Sequence, residues 1–436
     1  MAINNSEARL GELTRNTFLS MWAYQNPYFA KAKELCDVLI VFGDDVIIMS
    51  DKEIEFCQNA APEVAWSRWY RRAVEGSVRQ LRGASRQIRS APHRIFVDAQ
   101  ASSPFPLTIP SQDRMRIHLI AVVHGCEEPC AKLYGHPGLK IDTRVNDGSV
   151  PFTVGVHFQE FVHVISRPAL DALFTSLNTA RDFLDYLTRK QLTLSQKSFL
   201  IDGEEAFVGA YMQSQRGNRP YEIPLDKFPL TQDTFHVSKG YWLEYTNSSL
   251  RQTRIEAQEP SFVVDRLIEH MADEYENNAL TTGQQLTLQE HAAAFRLLAA
   301  ESRLGRQLIS AALYQILAED PGTFWSNVVE SFDVPGLIYV WMTYPEIPSE
   351  TSDDEFEDVL QNYLSLHMLV AQRKFRGAKL IFGIALPNPE SNRTSRAFLV
   401  SDGSIWTKEM EMLAEVAEVE KGILRNVQAT TCFSMR

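Results

Sequence analysis

Between Ser6 and Trp22 the apolar residues Leu10, Leu13, Phe18 and Trp22 fall at the spacing of one helical face, and Asn26-Pro27 closes the pattern. Two β-rich runs follow, Cys36–Phe42 and Val46–Lys52. Gly43-Asp44-Asp45 between them is a turn signal that makes the two runs a hairpin. A long helical stretch runs from Ala65 to Ile88. After a loop with prolines at 104, 106 and 110, Ile117–His124 reads as another buried strand. The order predicted for this first region is helix, strand, strand, helix, strand.

Beyond Pro137 the pattern is irregular until a helical pair, Pro168–Leu177 and Ala180–Lys190, the second with Phe183, Leu184 and Leu187 at core spacing. Helical patterns dominate Leu286–Glu319. Ser349–Asp358 is polar and acidic and reads as a loop entering a helix. A strand at Leu337–Met342, a helix at Phe356–Phe375, a strand at Leu380–Ala385 and a helix at Lys408–Leu424 make a second α/β unit. The expectation is an α/β fold in three segments: 1–137, a mostly helical 138–320, and a C-terminal α/β unit at 321–436.

The longest apolar runs, Val38–Phe42 and Leu119–Val123, are too short to span a bilayer, and Met1–Asn16 has charges and no apolar run. Neither membrane insertion nor secretion is expected. The scattered cysteines Cys36, Cys57, Cys126, Cys130 and Cys432 make no disulfide framework, which fits a cytoplasmic protein. A net charge of −12 sets the chain as a whole against a polyanionic partner. The region up to residue 135 is nonetheless close to charge balance, so the acidity lies downstream.

The hairpin carries the most chemistry. If Gly43-Asp44 is a two-residue turn, Phe42 pairs with Asp45 and Asp37 with Ser50, and the two-residue side-chain period puts Lys52 on the same face. A three-residue loop would put Asp51 there instead. Asp37 and Lys52 should meet at the open end of the hairpin. The flanking apolar runs imply a buried sheet, where charges are costly unless paired or bound to metal.

Asp37 followed by Lys52, with Glu7 on an upstream helix and Gln80 on a downstream one, resembles the PD-(D/E)XK nuclease superfamily, the fold of many restriction and repair endonucleases. The resemblance covers residues 1–125 in an α-β-β-α-β order that matches the family core apart from one unassigned strand. It implies that Asp37 binds metal, that Lys52 is the family's lysine, and that Gln80 reaches the site from the helix. Ser50 stands where the family has Asp or Glu two residues before the lysine. The second carboxylate would then come from Glu7, with Glu12 as runner-up, or from Asp51 through its side chain or carbonyl. In-line phosphodiester cleavage needs Mg²⁺ or Mn²⁺ on hard oxygens, to activate water and offset charge on the phosphate. A lysine beside the metal can orient the water and stabilise the pentavalent phosphorus.

The helix after the hairpin carries Arg68, Arg71, Arg72, Arg79, Arg82, Arg86 and Arg89 against one acid, Glu75. Arg68, Arg72, Arg79, Arg82, Arg86 and Arg89 share one face, a run of like charge suited to phosphate contact. Ala73, Gly76, Gln80, Gly83 and Gln87 lie on the other side, small enough in part to let the helix approach a sheet. Other candidates are weaker. His124, Cys126, Cys130 and His136 match no strong zinc spacing. Glu204-Glu205 reads as the start of a helix running through Tyr211. Gln372, Arg373, Lys374, Arg376 and Lys379 form a basic cluster open to two readings, contact with nucleic acid or, the favoured one, balance of the acidic loop at Ser349–Asp358. Neither a P-loop nor a GxGxxG fingerprint occurs.

The functional expectation is a cytoplasmic Mg²⁺- or Mn²⁺-dependent endonuclease acting on DNA, with RNA also open. The resemblance further implies service in bacterial restriction or anti-phage defence, alone, as a homo-oligomer or with a partner protein. The competing reading is a catalytically inactive protein that keeps the fold to bind nucleic acid or to act as a scaffold.

Overall fold

The computed structural model describes residues 5–214, 221–277, 286–347 and 351–425; Cys432 and the start of the acidic loop at Ser349 lie outside them. The chain is mixed α/β. It parts between Arg254 and Ile255 into two compact units. The sequence had suggested breaks near 137 and 320, but the first sheet takes a strand from Glu160–Ser166, and helix Arg303–Leu317 packs on strands Trp325–Glu330 and Leu337–Tyr344.

In the first unit, α1 (Asn5–Phe18) precedes β1 (Ala23–Gln25), β2 (Val38–Phe42) and β3 (Asp45–Glu53); α2 (Pro62–Ser90) then leads to β4 (Arg116–His124), and β5 (Glu160–Ser166) follows. The sheet order is β1-β2-β3-β4-β5, with the short strand His157–Phe158 outermost. β1, β2 and β3 are antiparallel in turn, whereas β3, β4 and β5 are parallel, so α2 is the crossover that a parallel pair requires. All of β2 and the residues Val46–Asp51 of β3 are buried. Covering both faces is why these strands read as apolar runs and not as alternation.

The turn at Gly43-Asp44 has two residues, with Gly43 at φ +64°, and the register joins Phe42 to Asp45 and Val38 to Met49. β1 is the strand the sequence left unassigned. Three residues flanked by Trp22 and Asn26 are too short to show a period, and β1 is fixed by its pairing with Val38–Ile40.

α2 runs about a turn longer than its apolar pattern predicts. Trp66, Trp69 and Tyr70 anchor its first half: Trp66 Nε1 donates to the Gly148 carbonyl at 2.7 Å, Trp69 Nε1 to Ile54 at 2.9 Å, and the Tyr70 hydroxyl to Asn146 at 3.0 Å. Ala73, Ser77, Leu81, Ala84 and Ile88 continue the buried stripe. Gly76 faces the Lys52 stem, which would lie 3.6 Å from a methyl added there. Gly83, expected to permit close approach to the sheet, faces open space instead.

The middle region is mostly helical as the pattern requires, with Arg167–Ser176 and Ala180–Gln196 among its helices, but it also holds strands the sequence did not show. Lys140–Asp142, Thr153–Val154, Ser198–Ile201, Leu230–Thr231 and Thr234–Val237 form a second sheet. These strands have two to four residues, too few to register as a pattern. In the second unit, Leu337–Tyr344 and Leu380–Pro387 are parallel and flank the helix Asp353–Lys374, with Trp325–Glu330 and Ala397–Asp402 added at the edges.

Gly83 sits inside a helix with nothing near its missing side chain. Gly83→Ala should therefore raise unfolding free energy by roughly 0.5–1 kcal/mol, read as a higher urea midpoint at an unchanged m-value.

Candidate active site

Because the turn is even, Ser50 and Lys52 point to the α2 side of the sheet and Asp51 to the other. Ser50 is fully buried; its hydroxyl lies 3.1 Å from Gln80 Oε1 and 3.3 Å from Ser77 Oγ. The Lys52 stem passes over Gly76. Gln80 and Lys52 thus reach one end of the sheet from α2 and β3.

Asp37, just before β2, lies opposite Ser50 in the register and accepts the backbone N–H of Asp51 at 2.5 Å. Glu34 hydrogen-bonds to the Asp37 side chain, and Glu7, in the first turn of α1, is close enough to act electrostatically on both. Burial pushes the Asp37 carboxyl up to about 7; the negative charges of Glu34, Glu7 and Asp51 push the same way, and the hydrogen bond from the Asp51 amide pulls against them. Burial also raises Glu34, as does Glu7, while Lys52 pulls it down.

Glu7, Asp37, Lys52, Ser50 and Gln80 therefore converge. The sequence reading overlooked Glu34, although it stands three residues before Asp37. The signal lay in the short ribbon Tyr28–Ala30 with Lys33–Glu34, which turns the chain so that Glu34 arrives beside the strand entry. Glu12, the runner-up to Glu7, pairs instead with Arg9 at 3.0 Å on the exposed side of α1.

The Asp51 carboxylate does not join this group. It is buried on the opposite face, with Oδ1 2.6 Å from His124 Nε2. Asp51 reaches Asp37 only through its amide and its field. Among the described residues no three His, Cys, Asp or Glu side chains are already gathered as a metal shell. The donors themselves, carboxylate oxygens on Asp37, Glu34 and Glu7, are hard ligands suited to Mg²⁺ or Mn²⁺. Burial, with the charges of Glu34 and Glu7 adding to it, raises Asp37 to about 7, and a divalent cation would offset both.

The arginines of α2 face away from the sheet. Arg68, Arg71, Arg72, Arg79 and Arg86 are exposed, and Arg82 and Arg89 are half-buried. Arg79 has a loose contact with Glu75 at 3.7 Å, and Arg82 donates to Gln159. The exposed members keep their charge at the surface.

The remaining candidates resolve into internal contacts. His124 bonds to Asp51 and His136 to Glu205 at 3.0 Å. Cys130 donates to the Gly138 carbonyl, and burial pushes its thiol up to about 12 and the Cys126 thiol higher still, which disfavours the thiolates a zinc site needs. Glu204 is buried against Lys190 and the Tyr186 hydroxyl. Arg373, Lys374 and Arg376 pair with Glu411 and Glu418 of the last helix, not with the acidic loop expected to balance them.

No protein-family model, curated protein or solved structure matches the chain.

The raised Asp37 carboxyl predicts a pH signature. Its folded value lies above the ordinary 3.8, so its contribution to stability is full below about pH 4 and is lost as pH rises to about 7. Asp37→Asn removes that loss. Urea unfolding without divalent cations should show wild type weakening relative to the variant over this window, with the variant the more stable at pH 8. Parallel curves for the two would show that Asp37 ionises normally.

Proposed function

We propose that the N-terminal unit is a Mg²⁺- or Mn²⁺-dependent nuclease that hydrolyses phosphodiester bonds in DNA. The observation that carries this reading is the convergence of three carboxylates, Glu7, Glu34 and Asp37, with Lys52 at the carboxyl end of β3, where an open α/β sheet presents its chemistry. The order α1, β1, β2, β3, α2, β4, with its antiparallel then parallel pairing, supports the likeness to PD-(D/E)XK nucleases. Glu34, not Ser50, is the natural source of a second carboxylate. The function would be that of a cytoplasmic defence enzyme.

A divalent cation bound to these carboxylates would supply Lewis-acid stabilisation of the phosphate and a more acidic water. Asp37 must lose its proton to serve as a ligand, and the Asp51 amide orients the freed carboxylate. The Lys52 ammonium, on a stem held over Gly76, stabilises negative charge developing on phosphoryl oxygens. Gln80 fixes the buried Ser50 hydroxyl and, through it, the strand that carries Lys52. The arginine face of α2 would hold the flanking phosphates without reading bases.

Ser50 favours the inactive reading to one extent: its hydroxyl is engaged inside the protein with Gln80 and Ser77. Cleavage assays decide between the two. Plasmid DNA should be cut with Mg²⁺ or Mn²⁺ and not with EDTA. Asp37→Ala and Lys52→Ala should each lower cleavage by at least about a hundredfold, and Glu34→Gln should impair it more than Asp51→Asn. No metal-dependent cleavage by wild type would leave a nucleic-acid-binding scaffold. Since Asp37 gives up a proton on binding, Mg²⁺ affinity by calorimetry should rise between about pH 6 and 8 with proton release; a pH-independent affinity would remove Asp37 from the ligand set.

The arginine face makes a separate prediction. Replacing Arg68, Arg72 and Arg86 by Gln should weaken duplex binding alike for all sequences. The slope of log K against log salt should flatten by roughly 0.9 for each phosphate no longer neutralised. An unchanged slope would make the row a solvated surface.

A further inference from the structure

The second unit holds a carboxyl pair of its own. Glu301, between the helices Leu288–Ala299 and Arg303–Leu317, is wholly buried. Asp333 is half-buried in residues 331–336, the turn that joins the strands Trp325–Glu330 and Leu337–Tyr344. The two side chains are hydrogen-bonded to each other. Each also takes a backbone amide from the other's segment: the Ser302 N–H donates to Asp333 Oδ2 at 2.6 Å, and the Asp333 N–H to Glu301 Oε2 at 3.3 Å. Gly305 leaves room for this, since a methyl there would press on Glu301 Oε2 and lie 2.8 Å from Asp333 Oδ2.

Two carboxyls in contact inside a protein cannot both ionise without a large cost, so such a pair keeps a proton. Glu301 Oε1 accepts from the hydroxyls of Ser331 and, at 2.9 Å, Tyr339, so Oε2 is the oxygen turned to Asp333. The cations at the start of the helix, Arg303 and Arg306, turn their guanidiniums to Asp265, and Arg306 also to the carbonyls of Ala299 and Glu301. Burial above all, and then the Asp333 charge, push the Glu301 carboxyl up from its ordinary 4.5. The far end of the turn is held independently, by the Gly336 carbonyl, which accepts from Lys379 at 2.6 Å and Leu380 at 3.1 Å. Loss of the proton therefore loosens the helix side of the turn and leaves its strand side seated.

We propose that Glu301 and Asp333 form a proton-operated clasp, which ties residues 331–336 to the amino end of Arg303–Leu317 while the pair shares a proton and releases the turn when both are charged. A raised carboxyl contributes fully below its ordinary value and loses that contribution as pH rises through its folded one, so the clasp opens on the alkaline side. The nuclease reading has no part in this argument.

Hydrogen–deuterium exchange on the full chain, localised by mass spectrometry and corrected for the faster chemical exchange of amides in base, tests it. In wild type the protection of Ser302 and residues 331–336 should fall at least about tenfold between about pH 5 and 8, with Leu337–Tyr344 unchanged. Asp333→Asn supplies an amide hydrogen in place of the shared proton while keeping an acceptor for Ser302, and should hold the protection at both ends of that range. Asp333→Ala removes both partners and should leave the segment poorly protected throughout. Wild-type protection that ignores pH overturns the proposal, as does an Asp333→Asn variant that opens like wild type or an Asp333→Ala variant as protected as wild type at pH 5. So does a loss shared equally by Leu337–Tyr344, which would be unfolding of the whole unit.

Discussion

The two-residue turn at Gly43-Asp44 sets the parity of the strand after it, and the site inherits that parity. With the turn even, Lys52 stands on the face that α2 covers, and Asp51 turns its carboxylate to His124 on the other side while its amide holds Asp37. One more residue in the loop would exchange these roles. The strand is buried on both faces, so hydrophobicity alone would tolerate either register. Gly43, at a positive φ that other residues adopt only at a cost, holds the turn at its length.

A buried carboxyl with two further carboxylates acting on it is a poor way to stabilise a fold. Asp37, Glu34 and Glu7 come together because three separate elements deliver them: the first turn of α1, the ribbon before β2, and the entry to β2 itself. Each element is fixed by packing elsewhere, so the carboxylates cannot relax apart without disturbing their supports. That is the usual relation between a rigid scaffold and an electrostatically unfavourable group of side chains.

Much of this was legible in the sequence because it depends on local rules. The hairpin and its register follow from a Gly-Asp turn between apolar runs, and α2 from a helical period ending in charged residues. What escaped was what distant pairing decides. β1 has three residues and exists because Val38–Ile40 offers an edge. The second sheet of the first unit is assembled from strands of two to four residues, none with a pattern of its own. Glu34 was hidden for the same reason: its approach to Asp37 depends on a ribbon whose pairing includes an irregular step at Tyr28–Ala30. The Arg373 cluster was read as neutralising the wrong acids, since nearness along the chain says little about which helix packs across it.

Beneath the arginine face of α2, the indoles of Trp66 and Trp69 stack with ring centroids 5.3 Å apart and planes 24° from parallel. Two chromophores so close and so aligned exchange excitation. The first unit therefore carries its own optical signature, a coupled indole pair set in the same helix that presents the positive row. Light absorbed there reports on whether that helix is seated on the sheet, and the buried Trp341 of the other unit gives the separate signal against which it can be read.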